Sequence, residues 1–479
     1  MNYTFPLDEL FRQGLIAEEA LFEFLFSPAV LLAVFESDFA TSAGKGTDRL
    51  NGFQFSARAG KELAVVSEKC LQGRYRFAPF LEVLKTKGRN KSPRLIGIPT
   101  IRDRVVLSQL NKFLAAIFPE RVPRNIASSY VKALSEDLTQ RDPEQTWVCS
   151  TDIMTFYDSI QRPKLLKTLG VRVKQDAPRL LIEHALNTPT VPKNTPRKRH
   201  AEFRLSEGVP QGLAISNILA SIYMQGVDEA MAKQGVAYYR YVDDVVMYGD
   251  KEPVEAALRS LTARLRPRGL ALHPKGSGKT NIASLSKPFG YLGYFFKMPH
   301  ITVREATVER FLQSIAAKFS DYAHNKARRL EKFKYLSAER LAEIFLMELN
   351  ERITGAISER KRYGWISYFN QINDLSLLYR LDHAIAGFFV RLPDFGRIAP
   401  LGLCKLSRSY FEMKFNPEGG YVRNYDKVIT RAQKLDLLRS RGRVSDDETL
   451  SDEQIEDRYS AYLRHVLAAM HGDEAIIYG

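Results

Sequence analysis

The sequence predicts an α+β protein of more than one packing unit, and three observations carry that prediction. At 479 residues the chain exceeds what one hydrophobic core organises, so about three units are expected. Apolar residues recur at helical spacing near the N-terminus and beyond Thr302, whereas short strand-like runs concentrate between residues 77 and 296. An apolar content of 45%, with 28 Phe and 22 Tyr, supplies material for packed cores and excludes a largely disordered chain.

Taken in order, Leu7, Leu10, Phe11 and Leu15, then Leu21, Phe22 and Leu25, predict one or two N-terminal helices, closed by the turn-rich Ser42-Ala43-Gly44-Lys45-Gly46. Two strand-like runs follow, Phe77-Ala78-Pro79-Phe80 and Arg94-Leu95-Ile96-Gly97-Ile98-Pro99, around a basic loop at 85–91. Seven basic residues and one acid stand between Lys85 and Arg104; charge alone fits a solvated face as well as a polyanion contact. Residues 147–152 read as a strand ending on Asp152, and 214–231 as a helix, from Ile215, Ile218, Leu219 and Ile222. Tyr238-Tyr239-Arg240-Tyr241-Val242 and Val245-Val246-Met247-Tyr248 read as a hairpin with Asp243 and Asp244 at its tip, and residues 289–296 as a second hairpin. From Thr302 to about Leu392 the chain is expected to be mainly helical, with basic clusters at Lys326, Arg328 and Arg329 and at Arg360-Lys361-Arg362. Residues 446–457 hold seven acids and no Lys or Arg, which suits a solvated linker, a helix start or a docking segment.

Seventy Lys and Arg against 55 Asp and Glu leave a net charge of +15, and such a surplus favours a polyanionic partner, nucleic acid first. Three scattered cysteines, Cys70, Cys149 and Cys404, form no CxxC pair, so neither a disulfide framework nor a cysteine zinc site is expected, and a reducing cytoplasm fits best. The greasiest stretch, residues 20–35, is interrupted by Glu23, Ser27 and Pro28, so no membrane span or membrane partner is expected.

The chemistry concentrates in three carboxylates, Asp152 at a strand end and Asp243 and Asp244 at a hairpin tip. If the strands are neighbours the acids converge, and their mutual repulsion is relieved by an oxygen-seeking divalent cation. Two such metals stabilise the attacking and leaving oxygens of an in-line phosphoryl transfer. Taken alone, an Asp-Asp pair in a hairpin is accounted for better by plain turn chemistry.

The surroundings decide between them. Tyr241-Val242-Asp243-Asp244 resembles the YxDD core of reverse transcriptases, Asp152-Ile153-Met154-Thr155-Phe156-Tyr157-Asp158 their first catalytic motif, and Gly208-Val209-Pro210-Gln211-Gly212 their PQG motif. Residues 94–104 look like the fingers segment of group II intron and related bacterial reverse transcriptases, and Phe289-Gly290-Tyr291-Leu292-Gly293-Tyr294 like their primer-grip hairpin. The resemblance spans residues 75–298 and implies a right-hand polymerase fold. Its parts are an N-terminal helical segment (1–74), fingers (75–125), a palm with an antiparallel sheet (126–300), a helical thumb (301–395) and a C-terminal extension (396–479).

The resemblance further implies Asp152, Asp243, Asp244 and the Ile153 carbonyl as metal ligands for two Mg²⁺ ions, with Mn²⁺ as the alternative. Lys279 would protonate pyrophosphate. Lys87, Lys91 and Arg94 would hold the triphosphate, Gln211 would line the nucleotide pocket, and Tyr157 would lie beneath the sugar and exclude a 2′-hydroxyl by bulk, so that Tyr157→Phe should change little. Lys326, Arg328, Arg329 and Tyr291 are the expected nucleic-acid contacts. The implied partners are dNTPs, a DNA product and an RNA template, a dedicated non-coding RNA among the candidates, with a second copy or an accessory protein as further possibilities.

Two departures stand out. Ser216-Asn217 replaces the family's usual Ser-Pro after PQG, and Gly276-Ser277-Gly278 lengthens the loop before Lys279-Thr280. Gly276-Ser277-Gly278-Lys279-Thr280 also imitates a phosphate loop, but that motif needs glycine where His273 stands. Residues 193–200, rich in Lys and Arg, suit a template contact or a solvated insertion equally. With no cysteine pairs for a zinc-stabilised endonuclease domain, a free-standing bacterial enzyme is expected. Asn217 and the extensions look like abortive-infection and defence-associated reverse transcriptases, which points to antiphage defence. The rivals are a group II intron maturase, an RNA-dependent RNA polymerase and a non-catalytic RNA-binding scaffold with a relic palm.

Overall fold

The computed structural model describes residues 10–11, 13–40, 42, 44–85, 93–122, 127–416 and 418–475. The chain forms two compact units, one of residues 1–124 and 145–284, the other of residues 125–144 and 285–479.

The first unit opens with helices α1 (Glu18–Leu25), α2 (Pro28–Val34), α3 (Gly52–Ser56) and α4 (Ala59–Leu71). Leu21, Phe22 and Leu25 of α1 are buried as their spacing predicts, and the Phe22 ring meets Phe113 edge-on at 5.4 Å. Among the described residues no single helix is long and apolar enough to cross a membrane. Strand β1 (Phe80–Lys85) pairs antiparallel with β2 (Arg94–Ile98), placing Lys85 opposite Arg94. The first of these strands starts at Phe80 rather than Phe77, because the chain before it is engaged elsewhere. Phe77 packs edge-on against Tyr75, and the Ala78 N–H donates to Asp103.

Helix α5 (Ile101–Ile117) begins at Thr100, whose hydroxyl oxygen accepts from the Asp103 N–H and donates to the Asp103 carboxylate at 2.7 Å. Asp103 is fully buried and also accepts from the Tyr75 hydroxyl. Burial raises its pKa against the pull of these bonds. Arg104 is tied to the Pro99 carbonyl and the Ser42 hydroxyl, so Asp103 and Arg104 in the fingers-like motif hold up the scaffold.

After α6 (Ala127–Leu138), which belongs to the second unit, β3 (Trp147–Asp152) enters the sheet that organises the first. Helices α7 (Arg162–Leu169) and α8 (Asp176–Leu186) lead to β4 (Thr190–Val191), which pairs in parallel with β1. Helix α9 (Ser216–Met231) precedes β5 (Ala237–Tyr241) and β6 (Asp244–Gly249); α10 (Lys251–Leu265) and β7 (Asn281–Ser284) complete the unit. The sheet order is β5-β6-β3-β7, all antiparallel. Cys149, Val245 and Met247 enter the main core with Ile218 and Ile222 of α9 and Val254 and Leu261 of α10, so a helix-covered sheet carries the strand ends on which the acids sit.

In the second unit the expected hairpin is the start of a three-stranded meander, β8 (Phe289–Tyr291), β9 (Tyr294–Lys297) and β10 (His300–Val303). The long α11 (Glu305–Lys332) buries Phe311, Ile315, Phe319 and Tyr322 at three- and four-residue spacing, and Phe319 meets Phe345 of α12 (Ala338–Thr354) edge-on at 5.2 Å. The expected run of helix is broken by the hairpin β11 (Ala356–Ser358) and β12 (Lys361–Tyr363), whose turn holds Glu359 and Arg360 at positive φ.

Beyond it lie α13 (Trp365–Tyr368), α14 (Leu375–Gly387), α15 (Leu406–Phe415), β13 (Arg423–Asn424), α16 (Arg431–Ser440) and α17 (Asp452–Ala475). The acidic stretch at 446–457 docks within its own unit: Asp452 pairs with Arg431, Glu456 with Lys434 and Glu448 with Arg458.

Candidate active site

The register of the first unit's sheet sets Asp152 directly opposite Asp244. The β5–β6 turn has only two residues outside the strands, Val242 and Asp243, and Val242 takes φ +58°. A β-branched residue is strained in that region. Two contacts hold the turn: the Arg240 guanidinium donates to the Val242 carbonyl at 2.8 Å, and the Ile153 N–H to the Asp243 carbonyl at 3.0 Å. Arg240 is itself clamped by both oxygens of Asp228 on α9. Burial first, and the neighbouring Asp152 second, push the Asp243 carboxyl above its ordinary range, while Arg94 and Lys279 pull it down.

Asp152 is reached by a cation from a distant loop. Ile153 bridges Leu272, the His273 N–H donates to the Asp152 carbonyl, and the Lys279 ammonium contacts the Asp152 carboxylate. His273 Nε2 lies 3.8 Å from the same carboxylate. Burial and the Lys279 charge lower the His273 pKa, which favours the neutral ring. Gly276 and Gly278 both adopt positive φ, so the inserted residues form the tight return that aims Lys279 inward. A strand, β7, follows this loop where a phosphate loop requires a helix.

The PQG loop closes the other side. The Gly97 N–H donates to the Gln211 carbonyl, the Gly208 N–H to Ile160 and the Val209 N–H to Tyr157. Gly212 has φ +100°, and a Cβ there would stand 2.7 Å from Ile96 Cγ2 and 2.8 Å from the Gly97 carbonyl oxygen, so only glycine fits. The Gln211 side chain reaches Asp158 at 3.4 Å. Tyr157 is half-buried, and its hydroxyl donates to Asn217 Oδ1 at 2.5 Å. Burial and Asp243 raise the Tyr157 pKa, and Arg94 opposes them; Tyr157, Arg94, Asp152, Asp243 and Lys279 therefore share one neighbourhood.

Other expected site residues lie differently. Lys87 and Lys91 are outside the described residues. Tyr291 is 2% exposed, and a side chain so enclosed packs its sheet and presents no face to a nucleic acid. Lys326 is paired with Asp394 and Arg329 with Asp321, while Arg328 is exposed. The residues that sequence reading passed over are Arg240, an arginine inside an otherwise apolar strand, and His273, considered only as the residue that breaks the phosphate-loop pattern.

Among the described residues no three His, Cys, Asp or Glu side chains gather closely enough to hold a metal ion. The fit to a cation rests instead on Asp152 and Asp243, all-oxygen donors that the β3–β6 register and the Ile153–Asp243 backbone bond bring to one end of the sheet, where burial first and Asp152 second raise Asp243. Such donors suit a hard cation such as Mg²⁺.

Residues 83–296 match the family model described as "Reverse transcriptase (RNA-dependent DNA polymerase)". Protein YkfC of Escherichia coli is 25% identical over 297 residues, covering 52% of this chain and 74% of its own length. An uncharacterized 91 kDa protein in the cob intron of Schizosaccharomyces pombe is 32% identical over 163 residues, covering 32% of this chain and 19% of its own length. Among solved structures, telomerase from Candida albicans with a fragment of telomeric RNA aligns at a TM-score of 0.40 and 12% identity, covering 74% of this chain and 69% of its own. Apo telomerase from Candida tropicalis aligns at 0.37 and 12% identity, covering 48% and 55%.

Proposed function

We propose, on the premise that residues 83–296 match the reverse transcriptase family model, that the chain is an RNA-directed DNA polymerase extending a primer with dNTPs. The observation that supports this reading best is the meeting of Asp152 and Asp243 beside Lys279 and Arg94. Asp152, Asp243 and the Ile153 carbonyl would hold the divalent ions, which supply charge stabilisation for the attacking and leaving oxygens when bound.

The chain's own residues do the rest. Arg94 faces the acids with a fixed positive charge suited to a triphosphate. Lys279, whose ammonium contacts Asp152, would act as the general acid toward the leaving pyrophosphate. Tyr157 lies under the sugar, and the Gln211 loop, fixed to Gly97, walls the nucleotide pocket. In this reading the first unit holds the fingers and palm and the second the thumb.

For the biological role we infer antiphage defence by a cytoplasmic enzyme, supported by Asn217 in place of the family's proline and by the extensions outside the family match. The similarity to a protein in the cob intron favours a maturase as the second reading. Primer extension on an RNA template with Mg²⁺ or Mn²⁺ tests the activity, and no dNTP incorporation with either ion would overturn it. Sequencing the nucleic acid that co-purifies separates the roles: flanking intron RNA would select the maturase reading.

A further inference from the structure

We propose that Asn217 is a positioning residue for sugar discrimination, anchoring the ring of Tyr157 by accepting its hydroxyl hydrogen bond. The proposal rests on the polymerase reading above and replaces the expectation that bulk alone sets the gate, under which Tyr157→Phe would change little, because the Tyr157 hydroxyl is bonded to Asn217.

Tyr157 lies on a short connection five residues past the Asp152 strand end. Its ring tilts against Phe156 at 5.5 Å, and its carbonyl accepts from the Val209 N–H. These contacts hold its base. The ring also packs against the main core, and its hydroxyl, farthest from the backbone, is where one bond limits the remaining motion of the ring most.

Asn217 supplies the bond from a fixed platform. It stands in the first turn of α9, where the Ser216 hydroxyl bonds the Pro210 carbonyl. The loop before it is pinned by the Gly97–Gln211 bond and by the close fit of Gly212 on Ile96 and Gly97. From sequence, Asn217 reads as a capping-type residue, yet the helix takes no side-chain cap at its N-cap residue Ile215. The amide instead spans 60 residues of sequence to the aromatic ring. A proline at 217 has no side-chain acceptor, so a chain with the family's usual residue would leave the hydroxyl without this bond.

A 2′-hydroxyl is one oxygen, and displacements near 1 Å are enough to change reactivity at an active site. A ring free to shift at its far end should discriminate the two sugars less sharply than a ring held there. Losing one hydrogen bond at a partly exposed site corresponds to roughly a three- to tenfold change.

The test compares dNTP and rNTP incorporation efficiencies in wild type, Asn217→Ala, Tyr157→Phe, the double variant and Asn217→Asp. Asn217→Ala and Tyr157→Phe should each lower the dNTP:rNTP ratio by about three- to tenfold. The double variant should lower it no further than either single, since both remove one bond. Asn217→Asp, which keeps an acceptor oxygen at the same reach, should retain the wild-type ratio. Tyr157→Phe preserves the bulk and leaves the helix untouched, so it reads the bond even where Asn217→Ala misfolds. Unchanged ratios in both singles, multiplying effects in the double, or an equal loss for both sugars would overturn the proposal alone. A wild type that incorporates neither sugar would overturn the polymerase reading and the proposal with it.

Discussion

Each unit contains a carboxylate held by a cation far away in sequence, and the two pairs sit in opposite surroundings. In the first unit Asp152 meets Lys279, with side chains 17% and 47% exposed. In the second, Glu351 of α12 meets Arg441, just past α16, with side chains 7% and 6% exposed. Arg441 also donates to the Tyr462 hydroxyl of α17 at 2.9 Å, so the sealed pair ties three helical segments together. A buried pair is committed, because removing either partner leaves an uncompensated charge in a poor solvent. An open pair on a flexible lysine is exchangeable: water and ions compete for the same carboxylate. Burial, more than the type of pair, separates a structural bolt from a site able to trade its cation for a ligand.

The largest expected effect falls on the open site. Asp243→Asn with Asp244→Asn keeps shape and removes charge, and should reduce dNTP incorporation by at least about a thousandfold, roughly 4 kcal/mol of barrier. The melting temperature should hold or rise slightly, since like charges are removed; undiminished primer extension would sink the assignment. Next comes the sealed pair: Glu351→Gln should cost roughly 3–5 kcal/mol in urea unfolding of the second unit. Glu351→Leu with Arg441→Met should recover most of that loss, and a cost equal to that of Glu351→Gln would show that the ionic pair itself is required.

Lys279→Met sharpens the contrast from the other side. It should slow primer extension roughly a hundredfold if the general acid proposed above is removed, yet shift stability by less than about 1 kcal/mol because the lysine is half in solvent. A large stability loss with normal turnover would make the Asp152 contact a bolt after all. The smallest effect concerns Arg328 of α11, exposed and without an ion pair among the described residues. Arg328→Glu should flatten the salt dependence of RNA binding by a slope of about 0.7–0.9, while Lys326→Glu and Arg329→Glu, which break pairs with Asp394 and Asp321, should also lower stability. Equal slopes for wild type and Arg328→Glu would remove Arg328 from the interface.

Local pattern carried much of the site. Apolar strands flanking Asp243 and Asp244 predict the hairpin, the run to Asp152 predicts β3, and Ile215, Ile218, Leu219 and Ile222 predict α9; all three are present at nearly those bounds. Strands of two to four residues, such as β4, β7 and β10 to β13, were not legible, because so short a run has no periodicity of its own and is extended only through its neighbour's hydrogen bonds. Arg240 and Asn217 were visible as residues but not as roles. An arginine in an apolar strand and an asparagine in place of a proline each announce something unusual, and only the partner says what.

The sequence by itself determined which residue types are present and which short segments are helix, strand or turn, since propensity and periodicity act over a few neighbours. It therefore placed the acids at a strand end and a hairpin tip. Only the tertiary structure decided what faces what. It set Asp152 opposite Asp244, brought Lys279 back over 127 residues to Asp152, joined Tyr157 to Asn217 and enclosed Tyr291. Such pairings depend on sheet register, on glycines that let one backbone approach another and on the exclusion of water from a whole core, and these are properties of the closed chain that no local window of residues contains.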